Sequence, residues 1–111
     1  MKRGDIVTVA ASGDYGKPRP AVIVQADAFD AIPSVTVMPL TSEIRDDVPL
    51  LRISVKAGER TGLRKASQIM IDKTQTLLRA KVGRRIGNLD AATLRALDRA
   101  LAVFFGVGEP D

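Results

Sequence analysis

The stretch Pro18-Arg19-Pro20-Ala21-Val22-Ile23-Val24-Gln25 constrains the fold more than any other part of the chain. Val22, Ile23 and Val24 follow one another with no polar residue between them, so neither face of this strand is written for water. Such a strand belongs inside a sheet, covered on both sides. Two prolines stand at its mouth. Each fixes its own φ and drives the residue before it towards an extended conformation. Arg19, caught between them, is therefore a cation on stiff, extended backbone at the entrance to a buried strand. It can be read as an exposed arginine at a proline-bounded strand start, or as a preset anion site.

The rest of the chain supplies the partners for that strand. Residues 4–10 are rich in β-branched side chains and predict a first strand. Residues 11–18 hold two glycines, a serine and a proline and predict a loop. The second strand runs over 19–25, followed by a connection at 26–33 with room for one helical turn. A third strand is expected over 34–40, ending near Pro39, and then a polar loop over 41–49. Residues 50–55 alternate Leu51, Ile53 and Val55 with Arg52 and Ser54, the pattern of a half-buried fourth strand. After a charged turn at 56–64 come a fifth strand over 66–72 and a short sixth over 75–79. The period then changes. Asp90 is a good N-cap, Leu94, Leu97, Leu101, Phe104 and Phe105 recur at helical spacing, and Gly106 stops the run. A helix over 91–105 follows, with its apolar stripe as cover for the core. Five or six short strands and one terminal helix predict a single, mainly β domain over residues 1–111, a small partly open barrel with the helix packed on it.

Composition narrows the chemistry. The formal net charge is +4 and the pI about 9.9, which favours an anionic partner. Aromatic residues make up only 4% of the chain, too few for a base-stacking platform. There is no cysteine, hence no disulfide frame and no thiolate chemistry, as suits a cytoplasmic protein. There is no histidine either, which removes the usual zinc ligand and the usual acid and base at neutral pH. The opening Met1-Lys2-Arg3-Gly4-Asp5 is charged and is not expected to be a signal peptide. No apolar run reaches the ~20 residues that a membrane-spanning helix needs.

Four places put a polar side chain at a strand end, where it is held yet reachable. Arg19 offers a two-pronged fork for phosphate. Thr41-Ser42 offers two adjacent hydroxyls after the third strand, as phosphate donors or as a turn or helix cap. Ser67-Gln68 opens the fifth strand, as a substrate contact or as ordinary strand polarity. Asp72 closes an apolar run, as a general base if its pKa is raised or as a turn residue paired with Lys73. Lys17, Arg45, Arg52 and Lys65 are candidate phosphate contacts by charge and position. Glu43, Asp46 and Asp47 match no calcium-loop spacing and read as a solvated loop; no metal site and no cofactor are predicted.

Taken in order, these segments resemble the MazF/PemK family of toxin endoribonucleases from bacterial type II toxin–antitoxin modules. The match is carried by Lys2-Arg3-Gly4-Asp5-Ile6-Val7, by Arg19-Pro20-Ala21-Val22-Ile23-Val24-Gln25, by Pro39-Leu40-Thr41-Ser42, and by Gly62-Leu63-Arg64-Lys65-Ala66-Ser67-Gln68-Ile69-Met70-Ile71-Asp72-Lys73 with Thr76 beyond. The helix opened by Gly87-Asn88-Leu89-Asp90 fits as well. The resemblance implies an SH3-like barrel with a C-terminal helix, assembled as a homodimer. It implies a metal-independent nuclease that cuts single-stranded RNA by attack of the RNA's own 2′-hydroxyl, leaving a 2′,3′-cyclic phosphate and a 5′-hydroxyl. A cognate antitoxin is implied too, with an acidic segment filling the RNA groove. Carried over by position, Arg19 and Thr41 meet the scissile phosphate, with Ser42 beside them, and Asp72 falls where one branch has a proposed base. That branch has an arginine two residues earlier, where this chain has Met70, which shifts charge stabilisation to Arg19. Residues 12–17 are the expected lid or RNA-gripping loop, and Lys17, Ser67 and Gln68 are expected substrate contacts. Two other readings stand beside this one: a gyrase-poisoning toxin of the same barrel class, against which Arg19-Pro20 and Thr41 together argue, and a non-catalytic nucleic-acid-binding barrel.

Overall fold

The computed structural model describes residues 1–10 and 17–108. Seven strands form one antiparallel sheet: β1 (Asp5–Ala10), β2 (Pro18–Ile23), β3 (Ser34–Thr41), β4 (Arg52–Val55), β5 (Ser67–Met70), β6 (Gln75–Leu78) and β7 (Val82–Asn88). Their order is β4-β5-β3-β2-β1-β7, with β6 also paired to β3. Among the described residues there is one α-helix, α1 (Ala91–Phe105), which follows β7. The partly open, SH3-like barrel with a C-terminal helix is thus borne out.

β2 is covered on both faces, as its unbroken apolar run requires. Val22 and Val24 enter the larger core with Ile6, Met38, Ile69, Ile71 and Leu97. Ala21 and Ile23 enter a second core on the other face, built of Val7, Val9, Val35 and Val37. β3 is the shared rail of the sheet. One edge pairs with β2; the other pairs first with β6 over residues 34–37 and then with β5 at Leu40 and Thr41. The strand therefore runs one residue past its expected end and delivers Thr41 still in register.

The seventh strand is a correction. Val82-Gly83-Arg84-Arg85-Ile86-Gly87-Asn88 has neither β propensity nor alternation. It exists because β1 offers an edge, with the register shifted on both sides of Val7, and Arg85 reaches Asp5 at 3.1 Å. β7 also helps to close the barrel. The Asn88 N–H donates to the Arg60 carbonyl at 2.9 Å. A Cβ on Gly87 would lie 2.3 Å from the Thr61 carbonyl, and one on Gly62, at φ +71°, 2.1 Å from the Ile86 carbonyl. Two glycines let the 56–64 turn and β7 touch backbone to backbone.

α1 begins and ends as predicted. The Asp90 carboxylate accepts from the Thr93 N–H at 2.7 Å, and Gly106 takes a left-handed φ of 68°. Its stripe is only partly core cover, however. Leu97 is buried and Leu94, Ala100 and Leu101 pack on the main core, but Phe104 and Phe105 are 43% and 58% exposed. The sheet ends before the helix does, so the last turn has nothing beneath it. The fifth strand also stops early, at Met70. Asp72 sits on a 3-10 turn, Ile71–Lys73, and not at a strand end. The expected helical turn after β2 is a 3-10 turn at Asp27–Phe29.

Candidate active site

Ala21 on β2 lies opposite Pro39 on β3. Beyond that pair, Arg19 and Thr41 stand at the adjoining ends of the two strands. The other edge of β2 is fixed by β1, where Val9 pairs with Arg19 between Thr8–Pro20 and Ala10–Pro18. Arg19 is thus positioned by its pairing with β1 while its side chain stays exposed. The two residues line one groove of about 570 Å³, with Ser42 and Ser67, and with Arg64 and Lys65 from the turn before β5.

The Thr41 hydroxyl accepts from the Glu43 N–H at 3.1 Å. This is the local turn bond that serine and threonine often make. It uses a lone pair and leaves the O–H proton to be donated into the groove. Ser42 is exposed at the rim. Ser67 is buried and donates to the Lys65 carbonyl at 2.9 Å, so it shapes the backbone that presents Lys65.

The remaining candidates lie apart from this cluster. Gln68 is buried, and its amide holds both backbone groups of Arg45: it accepts from the N–H at 3.0 Å and donates to the carbonyl at 3.1 Å. Asp72 accepts from the Arg52 guanidinium at 2.7 Å. That hydrogen bond, more than any other influence, holds the Asp72 carboxyl below the usual aspartate range. A carboxylate so held is a weak base. Arg52, expected at a phosphate, has a side chain only 7% exposed. Its Nε is buried with no partner among the described residues. Arg45 forks onto Asp47 through bonds of 3.1 and 2.7 Å, which raise the arginine's pKa and lower the aspartate's. Lys17 is exposed at the foot of β2 and does not line the groove. Of the expected lid, residues 12–16 lie outside the described residues. The groove also contains Arg64 and Gln75, not singled out in the sequence, with Glu43, expected on a solvated loop, and Met70, named only as the position of an arginine in one branch of the family. Arg64 could have been found as the neighbour of Lys65; Met70 and Gln75 carry no signal of their own. No group of three or more acidic residues able to hold a metal occurs among the described residues. No helix there is long and apolar enough to cross a membrane.

The family model described as the PemK-like, MazF-like toxin of type II toxin–antitoxin systems matches residues 2–105. The chain belongs to that family. It is 49% identical over 108 residues to a probable endoribonuclease MazF of Mycolicibacterium smegmatis, covering 96% of this chain and 98% of the relative. It is 31% identical to endoribonuclease MazF9 of Mycobacterium tuberculosis, covering 91% and 92%. Among solved structures, the Mycobacterium tuberculosis toxin MazF-mt6 superposes with a TM-score of 0.78 at 29% identity, covering 92% and 96%. A mycobacterial endoribonuclease solved with its cognate antitoxin superposes with a TM-score of 0.82 over 99% of both chains; at 22% identity it speaks for the fold. This MazF-like chain therefore has the family's architecture from β1 to α1, and Arg19 and Thr41 line one groove of it.

Proposed function

We propose that this MazF-like toxin is an endoribonuclease that cuts single-stranded RNA in the groove between β2, β3 and β5, without a metal. The observation that carries the reading is the single groove that Arg19 and Thr41 line together, from the adjoining ends of β2 and β3. Attack by the RNA's own 2′-hydroxyl needs no bound water. It needs in-line geometry, fixed donors on the negative charge that develops at phosphorus, and relief of two protons. Preset donors of this kind usually supply the largest catalytic contribution. Arg19 gives the charge-matched fork, Thr41 gives a hydroxyl whose own lone pair is already engaged, and Ser42 stands next to it. Arg64, Lys65 and Lys17 steer the flanking phosphates. Asp72, held ionised by Arg52, is better suited to bracing the groove wall beyond Met70 than to taking a proton.

The partners follow from the same groove. A cationic trough that accepts RNA also accepts the acidic segment of a cognate antitoxin, and the likeness to endoribonucleases of toxin–antitoxin systems supports that partner. A homodimer is supported by the exposed apolar groups at Leu50, Val103, Phe104, Phe105 and Val107, more than a monomer ordinarily leaves bare in one region. The cytoplasm is the fitting compartment.

The test is cleavage of a mixed single-stranded RNA in EDTA by the parent protein, Arg19→Ala and Thr41→Ala, with the ends read for cyclic phosphate. Cleavage by the parent alone, with cyclic ends, is the expected result. No cleavage by folded parent protein would remove the nuclease reading and favour the gyrase poison.

A further inference from the structure

One side chain in the groove does not fit a site made only for phosphate. Glu43 lines it together with Arg19, Arg64 and Lys65. Among the described residues its carboxylate takes part in no hydrogen bond or ion pair, and Arg45, the nearest cation in sequence, is forked onto Asp47.

Glu43 is also held in place. Its own N–H donates to the Thr41 hydroxyl at 3.1 Å. Two residues on, the buried Gln68 amide grips the N–H and the carbonyl of Arg45, and Gln68 is itself the cross-strand partner of Thr41. The segment 41–45 is thus pinned at both ends to the strand pair that carries the proposed catalytic threonine. A surface carboxylate on a loose loop would have neither brace.

A carboxylate only accepts hydrogen bonds, and it repels phosphate. In single-stranded RNA it must therefore meet a donor, and bases splayed from the strand present their Watson–Crick edges to such groups. Guanine sets N1–H beside an N2 amino group, two parallel donors spaced for the two oxygens of one carboxylate. Adenine and cytosine each offer an amino group next to an acceptor. Uracil offers a single N–H between two carbonyls, which a carboxylate disfavours.

We infer that Glu43 is a specificity-determining residue, reading a base beside the cut and selecting guanine over uracil there. The inference rests on the nuclease reading above and adds to it the base contact.

The cut sites of the parent, Glu43→Gln and Glu43→Ala would be mapped on a random single-stranded RNA pool. The parent is expected to favour guanine over uracil at one position next to the cut by roughly 10- to 100-fold, the usual discrimination of a two-pronged base contact. Both variants are expected to lose that preference while still cutting, with Glu43→Gln admitting adenine. An unchanged site profile in the variants, or an even loss of cutting at every site, would overturn the inference; the even loss would make Glu43 a proton acceptor instead. A second arm measures binding of RNA blocked by a 2′-deoxy group at the cut, with guanine or inosine at the read position, inosine lacking the N2 amino group. The parent should prefer guanine about tenfold and Glu43→Gln should not; equal binding by the parent would also overturn the inference. This arm needs no cleavage, so a parent that binds selectively but does not cut refutes the nuclease reading alone.

Discussion

Two arginines on neighbouring regions of the same sheet have opposite fates. Arg19 stands at the exposed end of β2, in one groove with Thr41. Arg52 starts β4, with its side chain sunk beside Asp72 at 2.7 Å. Both are strand-end arginines near a polar loop, and charge and position alone make both phosphate contacts. What separates them is what lies across the strand. Arg19 looks towards a hydroxyl that keeps a proton to donate. Arg52 looks towards Met70 in register, with a carboxylate two residues beyond it. One cation lines the groove and the other is paired within the sheet.

If that contrast is right, exchanging the roles should fail in two different assays. Arg19→Ala should lower the rate of RNA cleavage by about 10²–10³, the cost of removing one donor to a developing oxyanion, and do so in protein that remains folded. Thr41→Val should act in the same assay but less. A hydrogen bond to a charged group is worth about 1.5–3 kcal/mol, which corresponds to about 10- to 150-fold in rate. Arg52→Ala should do the reverse, with cleavage reduced only as folded protein is lost. Thermal melting should show a loss of roughly 2–3 kcal/mol, below the 3–5 of a fully buried pair because Asp72 can hydrate. Arg52→Ala losing activity at unchanged stability would break the comparison.

Asp72→Asn is the smallest change and sharpens the same point through pH. The folded state holds the Asp72 carboxyl below its ordinary value of 3.8. Its ionisation then favours folding above that value, and the contribution fades as pH falls through the depressed value. The parent should therefore lose stability in acid, below about pH 4, more steeply than Asp72→Asn, while the two cut RNA at neutral pH within a few-fold. A large loss of cleavage by Asp72→Asn, with stability intact, would restore the aspartate as a base.

The contrast also explains what could be read from the residues alone. Arg19 and Thr41 were legible because prolines and strand ends are local signals. The unbroken run Ala21-Val22-Ile23-Val24 was legible as a strand buried on both faces, and the two cores bear it out. The Arg52–Asp72 pair was not, since the two residues are 20 apart and meet only through the β4–β5 register. Gln68 was read as a substrate contact because nothing local says that its amide will find the backbone of Arg45. β7 was missed for a related reason. Gly83, Arg84, Arg85 and Gly87 carry no strand pattern, and the strand forms because β1 has an edge to fill. The exposed Phe104 and Phe105 show the converse, a helical period that continues past the end of the surface it was thought to cover.

The glycine contact between the 56–64 turn and β7 has a consequence for solubility. Three strands of this sheet, β4, β6 and β7, are paired on one side only, and each is a template on which another chain's backbone could add. At one terminus, the C-terminal end of β7 is occupied by the turn, which takes up the Asn88 N–H. The part of β7 left bare carries exposed Arg84 and Arg85, whose charge discourages a further strand. β4 and β6 are each only four residues long, too short to seed much pairing. The barrel can remain incompletely closed, with its groove open to a strand of nucleic acid, without becoming a nucleus for aggregation.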